Sequence, residues 1–232
     1  MVDLGLALIW YGALLMSLTF HEAAHAWAAL RGGDLTAYSL GQVSLDPRPH
    51  IRREPFGTVF VPLFFFATSG WMIGWASTPY DPRWAFRHPR RAGWMSLAGP
   101  AANLTLVLAT VVIVRAGLAA GVFLPPESIS MSRVTVAATS GLWSFVATAL
   151  SVLFTLNLLL AVFNLIPLPP LDGSGAVSLL VSADTARRLQ MKLRHPLVSL
   201  LGIVLAWLLV GRLFGPIHRL ALQLLYPELR YG

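Results

Sequence analysis

Five long apolar stretches, with most of the charge confined between them, leave this chain few folds to choose from. They run about Leu4–Leu30, Phe56–Ala76, Gly93–Val114, Val134–Ile166 and Pro196–Tyr226. A bilayer core accepts a helix of about 20 apolar residues and requires every backbone N–H and C=O to find its partner inside the protein. The stretches therefore read as membrane helices. Composition agrees: 56% of the 232 residues are hydrophobic and 12% are charged, half the roughly 25% charge of a soluble domain. The net charge of +7 is not gathered on one polar face. Basic groups such as Arg87 to Arg91 lie between apolar stretches, where headgroups and not nucleic acid account for them. With no cysteine in the chain, disulfides and thiolate metal sites are ruled out. No polar segment has the size of a soluble domain, so residues 1–232 read as one all-α polytopic membrane domain with about four to six transmembrane helices.

The stretches are not equivalent. Gly57, Pro62, Gly70 and Gly74 punctuate 56–76, which reads as a re-entrant element that returns to its starting side. On that reading, loops 31–55, 77–92 and 167–196 share one face with twelve Lys+Arg, against five elsewhere. That asymmetry marks the face as cytoplasmic in a cell inner or plasma membrane. In loop 31–55 the alternation Tyr38-Ser39-Leu40-Gly41-Gln42-Val43-Ser44-Leu45, ended by Asp46-Pro47, predicts a short membrane-associated β-hairpin or sheet. The last stretch is interrupted by Arg212, Gly215-Pro216 and His218, so its second half is expected to lie along the interface.

The first stretch carries His21-Glu22-Ala23-Ala24-His25. On a helix the two imidazoles stand one turn apart on one face, so both reach a single metal ion. Glu22 lies beside them, where a carboxylate can take a proton from water. Three ionisable groups inside an apolar run are costly unless they share a partner, and a metal supplies one. A cleaved signal peptide over 1–28 is the competing reading, but only Asp3, and no basic residue, precedes the apolar run.

Two histidines leave a catalytic zinc site short of its usual three protein ligands. Asp172 follows the fourth stretch in Asn164-Leu165-Ile166-Pro167-Leu168-Pro169-Pro170-Leu171-Asp172-Gly173. This sequence breaks a helix, and irregular backbone at membrane depth is tolerated where it lines a wet cavity. Taken alone, Asp172 reads as a solvated turn residue; beside the histidine pair it reads as the third ligand. Asn103, in Ala98-Gly99-Pro100-Ala101-Ala102-Asn103, is either a packing residue or an uncharged donor within a span.

HEAAH in the first span, AGPAAN opening a later one, and NLIPLPPLDG after another resemble, in the same order, the motifs of the site-2 protease family of intramembrane zinc metalloproteases. The resemblance covers nearly the whole chain. It implies that His21, His25 and Asp172 hold one Zn2+ per chain and that Glu22 is the catalytic base. It further implies that Asn164 holds the substrate strand or stabilises the oxyanion, and that Asn103 belongs to the same machinery. Tyr38–Leu45 falls where the family places a sheet whose edge pairs with an unwound substrate. The implied partners are the bilayer and a transmembrane-helix protein, cut within or near its span. The chain looks like a compact member, without a PDZ-like insertion or a nucleotide-sensing domain. A non-proteolytic zinc-binding membrane protein, either a transporter or an inactive helix-binding relative, is the alternative. The glutamate of HEAAH argues against it, because carrying a metal needs no general base. His50, His88, His195 and His218 read as solvated or headgroup-facing, and Trp71, Trp75, Trp84 and Trp94 as an interfacial aromatic belt.

Overall fold

A computed structural model describes residues 3–193, 195–229 and 231. The chain begins with α1 (Leu4–Arg31), started by the Asp3 side chain accepting from Leu6 N at 3.1 Å. Short helices α2 (Thr36–Ser39) and α3 (Pro47–Arg53) follow. A π-turn at Phe56–Phe60 then leads into α4 (Val61–Ser69). Helix α5 (Pro82–Arg87) opens on an Asp81 cap and a proline at N1, where the missing N–H is no loss. Two long helices come next, α6 (Pro89–Ala119) and α7 (Leu142–Asn164). After them lie α8 (Asp172–Ala176), α9 (Ala183–Leu193) and α10 (Pro196–Leu225).

Among the described residues four helices, α1, α6, α7 and α10, are long and apolar enough to cross a membrane. The all-α polytopic class is thus borne out, and the apolar stretch 56–76 resolves into something else. Phe56–Ser69 is a helix too short to be among the four, and Gly70 to Asp81 runs on without regular structure. After Gly70 N closes the helix on Phe66 O at 3.0 Å, the main chain of that strip makes one backbone hydrogen bond before Asp81, Trp75 N to Gly57 O at 3.1 Å, among the described residues. At Gly57 a Cβ would strike Trp75, so glycine permits this close pass.

Two expectations fail. Tyr38–Leu45 forms no hairpin. Asp34 Oδ1 accepts from Thr36 N and Thr36 Oγ1 at 2.9 and 2.6 Å, which starts a helical turn instead. Gly41 then takes φ +69°, and Gln42 N bonds back to Ala37 O. The one two-stranded sheet among the described residues lies at the far end of α6 and α7. There β1 (Phe123–Leu124) pairs antiparallel with β2 (Val136–Ala137), in register Phe123 to Ala137 and Leu124 to Val136. Nor does the last stretch break at Gly215-Pro216: α10 continues through Pro216 as one helix. His218 stacks on Phe214 with ring centroids 5.3 Å apart and meets Phe154 at 6.0 Å. Ring packing and burial of Ala221, Leu222 and Leu225 against Val107, Val111 and Phe154 hold that second half in the core.

Helices α1, α6 and α7 form the centre of the molecule. Trp10, Leu14 and Leu18 of α1 pack on Val152 and Leu156 of α7. In the stretch of each helix that would lie in the membrane, α7 is 61% buried and α10 only 17%. Ala206 and Val210 of α10 pack near Ile166 and Leu171, where the chain leaves α7. The C-terminal end of α1, the N-terminal end of α6 and the segment after α7 therefore meet at one end of the bundle.

Candidate active site

His21, Glu22 and His25 are buried on the last three turns of α1, and Asp172 begins α8 opposite them. The three proline residues after Asn164 stop α7, and Gly173 allows the chain to pass so close to Leu165 and Ile166 that a Cβ there would collide with their carbonyls. This return brings Asp172 Oδ2 to 3.1 Å from His21 Nε2 and 3.3 Å from His25 Nε2. The two Nε2 atoms are themselves 3.0 Å apart.

Proton accounting makes this cluster unusual. Met95 O can only accept, so His25 Nδ1 donates to it at 2.7 Å. His21 Nδ1 donates to Asn103 Oδ1 at 2.6 Å. In the neutral imidazoles both Nε2 atoms are then bare lone pairs, and Asp172 Oδ2 receives no hydrogen bond. Three electron-pair donors thus face one another with no proton between them, an arrangement that a cation resolves. Ligand atoms held tetrahedrally at about 2.0–2.1 Å from one zinc lie about 3.3–3.4 Å from each other. The observed spacings match this within a few tenths of an ångström. Among the described residues, this is the one group of three His or carboxylate side chains spaced to hold a metal.

The orientation of His21 rests on a chain of amides. Asn157 Nδ2 donates to Leu153 O at 2.8 Å and to Ser17 Oγ at 2.9 Å, which leaves its Oδ1 to accept from Asn103 Nδ2 at 2.7 Å. Asn103 Nδ2 also lies 3.4 Å from Ser17 O, so its Oδ1 is turned toward His21. Because a backbone carbonyl cannot donate, each amide has one possible orientation. Asn103 and Asn157 are fully buried. Ligating histidines ordinarily depend on such a partner at the second nitrogen. Asn103 is thus hydrogen-bonded to both His21 and Asn157. Asn157 and Ser17 were not singled out from the sequence, although a polar residue amid an apolar helix is the signal that pointed to Asn103.

Glu22 has its own partner in the strip after α4. Thr78 Oγ1 lies 2.8 Å from Glu22 Oε2 and 2.9 Å from the Glu22 carbonyl, sharing one proton between them. Glu22 Oε1 has no partner among the described residues. Gly99 lies against the imidazoles, where any Cβ would collide with both Nε2 atoms. Asn164 is not hydrogen-bonded to the cluster. It lines the same cavity, of about 890 Å³, and donates one N–H to Leu160 O at 3.0 Å. Its second N–H has no acceptor among the described residues. The cavity is bounded by α1, the strip from Trp71 to Tyr80, the end of α7 and parts of α9 and α10.

Several aromatic and imidazole expectations change. Trp84 is buried and donates to Gly32 O at 3.0 Å, so it is a packing residue and not part of a belt. His50 is also buried, with Nε2 against Ser44 O at 3.1 Å, and His218 belongs to the core described above. Trp75 and Trp94 are exposed as expected.

Residues 10–209 match the description of Peptidase family M50. The chain is 38% identical over 162 residues to "Putative zinc metalloprotease YwhC" of Bacillus subtilis, a match covering 69% of this chain and 63% of that protein. It is 32% identical over 204 residues to "Putative zinc metalloprotease Rip2" of Mycobacterium tuberculosis, covering 88% of this chain and 69% of the relative. The Mycolicibacterium smegmatis protein of the same name is 31% identical over 175 residues, covering 75% and 58%. The chain therefore spans under two thirds of the length of YwhC. No solved structure matches it.

Proposed function

This chain belongs to peptidase family M50, and from that premise we propose that it is a membrane-embedded zinc metalloprotease cutting peptide bonds in or near transmembrane segments. The observation that carries the proposal is the meeting of three proton-free ligand atoms and a buried glutamate in one cavity. His21, His25 and Asp172 hold one zinc per chain. Bound there, zinc supplies the Lewis acidity that polarises a carbonyl and lets water act near neutral pH. Asn103, steadied by Asn157, keeps His21 Nδ1 protonated and its Nε2 aimed at the site. Glu22, with Oε2 pinned by Thr78, uses Oε1 to take a proton from the attacking water. The water oxygen bonds the carbonyl carbon, the C–N bond breaks, and Glu22 returns the proton to the departing amine. The free N–H of Asn164 is the candidate donor to the oxyanion.

A peptide bond within a helix is shielded by its own turn, so the substrate must unwind before attack. The edge for it is the strip Met72–Thr78, whose main chain is largely unpaired and which borders the cavity. Tyr38–Leu45, expected to serve as that edge, is a turn. Pairing along an open main chain holds an extended peptide without demanding particular side chains. Residues 1–232 act as one domain in which 56–76 is re-entrant, and the cluster faces the cytoplasmic side of an inner or plasma membrane, in keeping with twelve against five basic residues.

The test uses the zinc-loaded full chain in vesicles with a single-span helical peptide. Wild-type protein is expected to release fragments that mass spectrometry assigns to the span or its edge, and a chelator to stop this. Glu22→Gln protein should keep one zinc and release none. Cleavage by Glu22→Gln would remove the base from the scheme, and cleavage unaffected by metal removal would overturn it altogether.

A further inference from the structure

The faces of α1 and α6 turned away from the cluster form a second cavity, an open groove of about 750 Å³. We propose that this groove is a binding site for one anionic phospholipid, with the phosphate at Arg31 and Arg91 and an acyl chain along α6. The proposal is independent of any catalysis by the opposite face.

Arg31 is the last residue of α1 and Arg91 stands in the first turn of α6, so both guanidinium groups line the same end of the groove. Arg91 Nη1 donates to Gly32 O at 3.1 Å, which holds it beside the end of α1. The Arg31 guanidinium lies 5.4 Å from the centre of the Trp27 ring. Neither has a carboxylate partner among the described residues, and no acidic residue lines the groove. Two cations with no anion of their own, at the boundary of two membrane-length helices, suit a phosphate. Trp27 and Trp94 flank them and are 55% and 66% exposed, as interfacial tryptophans are.

Below the arginines the lining turns apolar and small. Ala98, Ala101 and Leu104 line the groove farther along α6. From Arg91 to Leu104 is thirteen residues, or about 20 Å of helix rise. That is enough for an acyl chain to pass through one leaflet of a hydrocarbon core about 30 Å thick. A partner transmembrane helix would fill the small-residue stretch but leave both guanidinium groups unanswered. Charge therefore selects the lipid.

The full chain is reconstituted in phosphatidylcholine vesicles doped with either brominated phosphatidylglycerol or brominated phosphatidylcholine, and tryptophan fluorescence is followed. Half-quenching is expected at a roughly thirtyfold lower mole fraction of the anionic lipid, from two basic contacts near the surface. Arg31→Gln/Arg91→Gln should lose that preference while its quenching by the zwitterionic lipid stays as in wild type, which also reports that the variant is folded. Ala98→Leu/Ala101→Leu, which fills the slot and keeps both charges, should weaken quenching by the anionic lipid. Trp27→Phe/Trp94→Phe should abolish the preferential component. Equal quenching by the two lipids, a preference that survives loss of both arginines, or one that survives loss of both tryptophans would each overturn the site.

Discussion

The two faces of α1 and α6 use polar residues in different ways. The inner face holds Ser17, His21, Glu22, His25 and Asn103, buried and tied by hydrogen bonds to α7 and to the strip after α4. The outer face carries Arg31, Arg91, Trp27 and Trp94, with small apolar residues below them. Both faces are polar at one end. Inside, directional partners set each group's geometry and leave bare the two Nε2 atoms and Glu22 Oε1. Outside, charge and shape alone are specified, because solvent and lipid complete the contacts. A polar residue in a membrane helix is therefore informative through what it touches more than through its presence.

Asp172→Ala should break the inner face most completely. It removes the one anionic ligand, so bound zinc, read by atomic absorption, and cleavage should both be lost. Glu22→Gln comes next: cleavage falls by roughly 100- to 10,000-fold, the range of a general base, while zinc content stays at wild type. Asn157→Leu tests whether the inner network acts at a distance from the metal. A 10- to 100-fold loss of metal affinity is expected, with an altered cobalt(II) absorption spectrum and a lower melting temperature from the stranded Asn103 amide. An unchanged spectrum would reduce Asn157 to packing. Thr78→Val leaves the ligands alone and frees Glu22, so a smaller fall in kcat is expected, on the order of tenfold, with zinc affinity unchanged. Leu108→Ala, on the outer side of α6 and 57% exposed, sharpens the contrast from the other side. Its melting temperature and cleavage rate should stay near wild type, within about 0.5 kcal/mol.

The parts of the site legible beforehand were those with a local signature. His21, Glu22 and His25 are placed by helix spacing alone. Asp172 stood out because Pro167, Pro169 and Pro170 forbid a helix where an apolar stretch would otherwise continue. Asn157 carried no such mark: an asparagine within α7 points to whichever neighbour the packing supplies, and that neighbour is Asn103 of α6. Thr78 was hidden for a related reason, since a hydroxyl at the edge of an apolar stretch signals nothing until Glu22 is found beside it. Tyr38–Leu45 misled in the opposite direction. Alternation favours a strand only where another strand is available, and here the Asp34 side chain and Gly41 turned the backbone first.

What the amino-acid order determined by itself was the class: an all-α chain of membrane-length apolar helices, a histidine pair with its glutamate on the first, and prolines that break the chain before an aspartate. These follow from transfer of apolar surface and from backbone sterics, which are summed along the chain without regard to distant partners. Tertiary structure alone decided which nitrogen of each imidazole is bare, which strip borders the cavity, and which face of α6 meets lipid. Those outcomes depend on hydrogen bonds and charge contacts that act over a few ångströms between remote segments, and nothing in the local pattern places such groups within reach of each other.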